Sequence, residues 1–190
     1  MDKIFAYDFD KTIYNGDCSF DFWLYCVKIK PYILIRFPMQ FTALVLNKLK
    51  LLSTKRFKEI FFSFLKDFSS EQINKNVKDF WEIKKQRFFP WFKERVKQGK
   101  EIVISASPEF LLKDICFENN IDVVIGTIMN YNGKIDGCNC KGVEKVNRLN
   151  SVIENCSLEA FYSDSDSDLP LTQISSKSYK VKKGKYTDWI

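Results

Sequence analysis

Residues 6–17 read AYDFDKTIYNGD, with Asp8 and Asp10 one residue apart directly after a short apolar run. On a strand, side chains two apart point to the same side. Two carboxylates on one side repel, and they do not pack in a core unless something offsets their charge. A metal ion could offset it, and so could a backbone that leaves the strand there and lets the second side chain swing into a loop.

The rest of the chain supplies a fold for that strand end. KIFAYDFD reads as a short strand ending at the acids, and from about residue 17 to 89 there is almost no strand character. Within that stretch Ile73, Val77, Phe80 and Trp81 recur at helical spacing, and Pro31 and Pro38 divide the earlier part, so several helices are expected. Gly99 is read as closing a helix, and EIVISAS as a fully buried strand. Ser107-Pro108-Glu109 reads as a helix start, with a serine cap, proline at the first helical position and an acid near the positive end of the dipole.

IDVVIGTIM is a further strand, and Asn132-Gly133 is a two-residue hairpin turn signal. VEKVNRLNSVIE is a short amphipathic helix, LEAFYSD a strand ending in acids, and SKSYKVKK a last strand before a lysine-rich solvated tail. Strands alternating with helices predict an α/β fold, a parallel sheet covered on both faces. The helical stretch breaks that rhythm. It is expected to be an inserted cap over residues 15–88, with residues 1–14 and 89–190 forming the core.

A chain of 190 residues with 45% hydrophobic side chains can bury one core and is not expected to be extensively disordered. Histidine is absent, which removes histidine triads, metal sites and acid–base chemistry together. The net charge of +6 is spread along the chain, so weak attraction to phosphates or acidic lipid is favoured and a nucleic-acid partner is not expected. Met1-Asp2-Lys3 runs straight into the first strand without a secretory signal, so a cytoplasmic location with six reduced cysteines is expected. Cys138 and Cys140 are close enough for a metal, but no second close pair completes a four-thiolate site. Nothing in the sequence fixes an oligomeric state.

In open α/β sheets, ligands bind at the carboxyl ends of the strands. Here those ends carry Asp8, Asp10 and Thr12, then Ser105, and finally Asp164 and Asp168, with Lys145 at the start of the helix after the hairpin. Taken singly, each has an ordinary reading as a turn, a cap or a surface group. Taken in order, they resemble the four motifs of the haloacid dehalogenase superfamily of phosphohydrolases: DxDxT, a serine or threonine, a lysine and an acid pair. The resemblance covers nearly the whole chain and implies a Rossmann-like core with a helical cap of the type inserted after the first motif.

The resemblance also implies roles. Asp8 would be the nucleophile, forming an aspartyl-phosphate. Asp10 would protonate the leaving oxygen and then activate water. Magnesium would bridge Asp8, the backbone carbonyl of Asp10, Asp164 and the phosphate. Ser105 and Lys145 would bind the phosphoryl group, with Thr12 and Asp168 behind them; Asp168 would orient Lys145 or a metal-bound water. Haloacid dehalogenases and phosphonate hydrolases lack an acid at the position of Asp10, so phosphate ester hydrolysis is the implied reaction.

The helical insertion resembles the phosphoserine-phosphatase-like subfamily (IB). SASPEFL, NCKGVEKVNRL and the apolar stretch PYILIRFPMQFTALVLNKLKLL resemble its phosphatidylglycerophosphatase C branch. A phospholipid headgroup phosphate is therefore the implied substrate, with a soluble phosphomonoester such as phosphoserine or a sugar phosphate as the alternative. A catalytically silent phosphate-binding or scaffold protein is the alternative of another class. The apolar stretch is interrupted by Arg36, Gln40, Lys48 and Lys50 and is too broken to span a bilayer. Either it packs the cap, or it lies at a membrane interface as a peripheral contact. Phe22, Trp23, Phe37 and Phe41 are core or pocket lining on the same reasoning.

Overall fold

The computed structural model describes residues 3–154 and 156–189. Its strands are β1 (Ile4–Tyr7), β2 (Lys100–Pro108), β3 (Val123–Thr127), β4 (Leu158–Ser163), β5 (Ser175–Lys182) and β6 (Lys185–Asp188). They form one sheet in the order β3-β2-β1-β4-β5-β6, parallel from β3 through β5. The chain steps from β1 outward to β2 and β3, then returns to place β4 on the other flank of β1. That reversal makes the carboxyl ends of β1 and β4 the crevice where α/β sheets take their ligands.

Helices lie between the strands in sequence. α1 (Cys18–Ile29), α2 (Phe37–Lys48), α3 (Thr54–Phe61), α4 (Ser70–Lys84) and α5 (Pro90–Lys93) separate β1 from β2, with 3₁₀ turns at Pro31–Arg36 and Phe62–Asp67. α6 (Glu109–Glu118), α7 (Val143–Val152) and α8 (Leu169–Thr172) follow β2, β3 and β4. Local signals explain several boundaries. Asp17, Ser53 and Ser69 cap α1, α3 and α4, and Ser69 with Gln72 completes a capping box.

The sheet is apolar on both faces. On β2, Val103 packs into the cluster built with α1, α4 and α6, while Ile102 and Ile104 pack into the cluster with Leu149 of α7 and Leu171 of α8. Neighbouring side chains go to opposite layers, as the strand period requires.

Four expectations are corrected. Gly99 does not end a helix: the preceding helix stops at Lys93, and a Cβ on Gly99 would lie 2.2 Å from the Lys3 carbonyl oxygen. Its service is close backbone approach at the start of β2. Ser107 does not cap α6, which has no side-chain cap; β2 runs on to Pro108 and the Ser107 hydroxyl turns elsewhere. The lysine-rich tail is not loose, because β6 pairs antiparallel with β5 through a turn at Lys183 and Gly184, both at positive φ. Asn132-Gly133 does turn the chain, but the only pairing across it among the described residues is a single bridge, Met129 to Ile135.

One buried pair ties the sheet to the ends of two helices. Glu101, 1% exposed on β2, takes Arg95 Nε at 2.9 Å, and the same guanidinium reaches the Phe92 and Asn119 carbonyls. Arg95→Met strands that carboxylate and is expected to cost about 3–5 kcal/mol in urea unfolding. Replacing Glu101 by Met as well should recover part of the loss.

Candidate active site

After Tyr7 the backbone leaves the strand. The Phe9 carbonyl accepts from the amides of Ile13 and Tyr14, and Lys11 sits at φ 58°. The two acids therefore part company. Asp8 Oδ1 accepts from Lys145 Nζ at 2.7 Å. Asp10 accepts from the Cys18 amide at 2.7 Å and from the Ser107 hydroxyl at 2.6 Å. The backbone thus leaves the strand between the two acids, and each carboxylate has its own donors.

Lys145 lies in the first turn of α7, 2% exposed, and its ammonium also donates to Asp168 Oδ2 at 2.8 Å. Gly142, at φ 62°, ends the loop before it in a conformation that costs a side chain energy. Ser163 at the end of β4 donates to the same Asp168 oxygen at 2.7 Å. The acid run after β4 splits: Asp164 and Asp168 face the cavity, while Asp166 turns outward to an ion pair with Lys180. Thr12 is fully buried and takes the Asp164 amide at 3.0 Å, fastening the loop after β1 to the loop after β4.

The β2–β3 register shifts between Ile104 and Pro108, an irregularity of the kind found beside active sites. It lets Ser105 line the cavity while Ser107 reaches Asp10, with the Ser107 amide donating to Ser105 Oγ at 3.1 Å. The Ala106 carbonyl between them accepts Lys58 Nζ from α3 at 2.6 Å. All seven residues singled out from the sequence thus lie around one place: Asp8, Asp10, Thr12, Ser105, Lys145, Asp164 and Asp168. Ser107 and Lys58 were not singled out. Ser107 had a signal, its two-residue spacing from Ser105, obscured by the competing cap pattern. Lys58 had none.

All of these side chains except Thr12, which is buried behind them, line a cavity of about 570 Å³ whose other wall is apolar, including Trp23, Phe37, Phe41, Leu44, Phe57 and Phe61. Phe22 is core and lies outside that lining. Burial pushes the Asp8 carboxyl up to about 7 against the pull of Lys145. Burial, aided by the charge of Asp17, raises Asp10 to about 6 despite its hydrogen bonds from Ser107 and Cys18. Burial also raises Asp164. Burial opposes the charge on Lys145, but Asp8 and Asp168 more than reverse this and hold it protonated. Lys58 is pushed down to about 8 by burial, with Asp10 and Asp17 partly offsetting it.

A family model described as haloacid dehalogenase-like hydrolase matches residues 5–173. The chain belongs to that family. Among curated proteins, this HAD-like hydrolase is 29% identical over 136 residues to protein CicA of Caulobacter vibrioides (strain NA1000 / CB15N). The match takes in 64% of this chain and 61% of the length of CicA, so the chain spans less than two thirds of that relative. Among solved structures, a protein of unknown function from Bordetella pertussis Tohama I superposes with a TM-score of 0.81 at 16% identity, over 94% of this chain and 89% of that one. A phosphoserine phosphatase solved as a phospho-aspartyl intermediate analogue superposes at 0.54 with 16% identity, over 93% and 84%. These likenesses concern the fold.

The donor set fits a hard divalent cation. Asp8, Asp164 and the Asp10 backbone carbonyl are hard oxygen donors, and burial raises the Asp8, Asp10 and Asp164 carboxyls, so added positive charge beside them is favourable. Among the described residues no three acidic, cysteine or histidine side chains close round one point. Magnesium needs no such cage, because it usually keeps waters and takes one or two carboxylates with substrate phosphate. In chelator, a carboxyl raised in the folded state binds protons more tightly than in the unfolded chain, so stability falls as pH rises from about 4 to the folded values of about 6 and 7. Thermal melts should therefore show a larger stabilisation by magnesium at pH 8 than at pH 5. Equal shifts at both would disconnect these carboxyls from the cation.

Proposed function

We propose that this HAD-like hydrolase is a magnesium-dependent phosphomonoesterase that works through an aspartyl-phosphate on Asp8 and acts on the phosphate of a phospholipid headgroup. The observation that carries the reaction is the division of partners between the two acids: Asp8 held by Lys145, Asp10 held by Ser107 and the Cys18 amide. An Asp8 oxygen attacks phosphorus as the bond to the leaving oxygen breaks, and Asp10 gives that oxygen its proton. Asp10, with a carboxyl near 6, then takes a proton from the water that attacks the same phosphorus, and Asp8 leaves as carboxylate. Ser105 donates to a phosphoryl oxygen, and Lys145, oriented by Asp168, balances charge on Asp8 and the phosphate. When bound, magnesium supplies positive charge that lets the anionic phosphate approach Asp8; Asp8, Asp164 and the Asp10 carbonyl are the oxygens that would hold it.

The helices of residues 15–88 act in this reading as the cap that selects substrate, over a core of residues 1–14 and 89–190. The apolar wall of the cavity supports a phosphate carried on a body with apolar surface, as in phosphatidylglycerophosphate. Likeness to a phosphoserine phosphatase supports the second reading, a soluble phosphomonoester such as phosphoserine or a sugar phosphate.

Phosphate release with magnesium separates them. Detergent-dispersed phosphatidylglycerophosphate should exceed phosphoserine and a sugar phosphate panel in kcat/KM, and the reverse order would assign a soluble substrate. Asp8→Asn should lose at least about 10⁴-fold in turnover, as nucleophile variants do. Asp10→Asn should keep the magnesium melt shift and lose about 10²–10⁴-fold. Ser107→Ala, which removes one hydrogen bond to a charged group, should lower kcat about tenfold. Full turnover by Asp8→Asn would overturn the mechanism.

A further inference from the structure

α2 is built inside out. Its fully buried residues are Gln40 and Ala43, while Phe37, Met39, Phe41 and Val45 are exposed. The preceding 3₁₀ turn and the following loop continue the pattern, with Ile35 82% and Leu51 73% exposed. Twelve of the twenty large exposed hydrophobic residues among the described ones fall within residues 20–51. Scattered apolar residues on a surface need no explanation, but a concentration of this kind marks an interaction face.

The charge on the same segment is one-sided. Residues 22–58 contain eight lysines and arginines and no aspartate or glutamate. Lys28, Lys48 and Lys50 are exposed and make no ion pair among the described residues. A second copy of the chain meeting this face through a two-fold axis would set these charges against themselves. An acidic lipid surface is complementary to both features: acyl chains take the apolar side chains and headgroups take the lysines. No helix among the described residues is long and apolar enough to cross a membrane, so the contact lies in the interface.

We propose that the face formed by residues 31–51 docks on an anionic lipid bilayer, with the mouth of the active-site cavity directed at the headgroups. The orientation follows from Phe37 and Phe41, which stand four apart on α2, are both about half-exposed, and also line the cavity. A headgroup phosphate then enters past the aromatic wall without its lipid leaving the bilayer. The orientation rests on the headgroup reading above, whereas the docking itself does not.

Flotation of the full chain with vesicles tests it. The protein should float with phosphatidylcholine–phosphatidylglycerol vesicles, far less with phosphatidylcholine alone, and less at high salt. Ile35→Glu/Leu51→Glu should weaken binding by at least tenfold, and Lys48→Gln/Lys50→Gln by about fivefold per charge removed. Both variants should hydrolyse a water-soluble aryl phosphate as the unaltered chain does, which reports that they fold. Absence of binding to anionic vesicles at low salt would overturn the proposal, as would binding that Ile35→Glu/Leu51→Glu leaves unchanged. A dimer in light scattering that this variant abolishes, without vesicle binding, would reassign the face to a second copy. Docking without lipid hydrolysis would overturn only the substrate reading; hydrolysis of detergent-dispersed lipid without docking would overturn only this one.

Discussion

One ammonium group holds the site together. Lys145, 2% exposed, is shared by Asp8 at 2.7 Å and Asp168 at 2.8 Å, so three loops from different parts of the chain meet at a single buried charge. Two carboxylates and one ammonium leave a net negative group in the interior, an unfavourable arrangement by itself. Burial raises Asp8 to about 7 against the pull of Lys145, and the charge of Asp168 adds to that rise. That buried group is thus short of one positive charge, which a bound cation would supply.

The sheet fixes where those loops meet. Because β1 lies between β2 and β4, the loops after all three strands open on the same edge, and the reversal of strand order leaves a crevice there. Thr12 and the irregular end of β2 are the local devices: one fastens the loop after β1 to that after β4, and the other aims Ser105 and Ser107 at the acids. Helices between β1 and β2 then roof the crevice with aromatic side chains. The acids and serines stand at strand ends, and the aromatic side chains facing them come from the helices.

The floor of the site was legible only as a set: polar residues at strand ends, each ordinary alone, fall in the order of the four motifs of the family they resemble. Asp8 and Asp10 draw attention by their spacing, whereas Ser105 and Lys145 gain meaning only from that order. The helical elements were legible from periodicity, as Ile73, Val77, Phe80 and Trp81 illustrate. Residues whose meaning comes from tertiary contact were not. Gly99 carries the same letter whether it ends a helix or admits the Lys3 carbonyl. Ser107-Pro108-Glu109 has the pattern of a cap, yet a hydrogen bond to Asp10 offers the hydroxyl more than a helix amide would. β6 was hidden because an edge strand rich in lysine resembles a solvated tail until it finds a partner. Lys58 reaches the cavity only because α3 lies over the loop after β2.

The central claim is that the Asp8 carboxylate becomes covalently phosphorylated. Borohydride reduces an acyl phosphate to an alcohol, releasing phosphate and converting the aspartate to homoserine. Tryptic mass mapping of the unaltered chain, quenched with borohydride during turnover in magnesium, reads that conversion directly. Homoserine at position 8, appearing only with substrate, is the predicted result. Turnover with no reduced residue, or reduction at another carboxylate, would contradict the account.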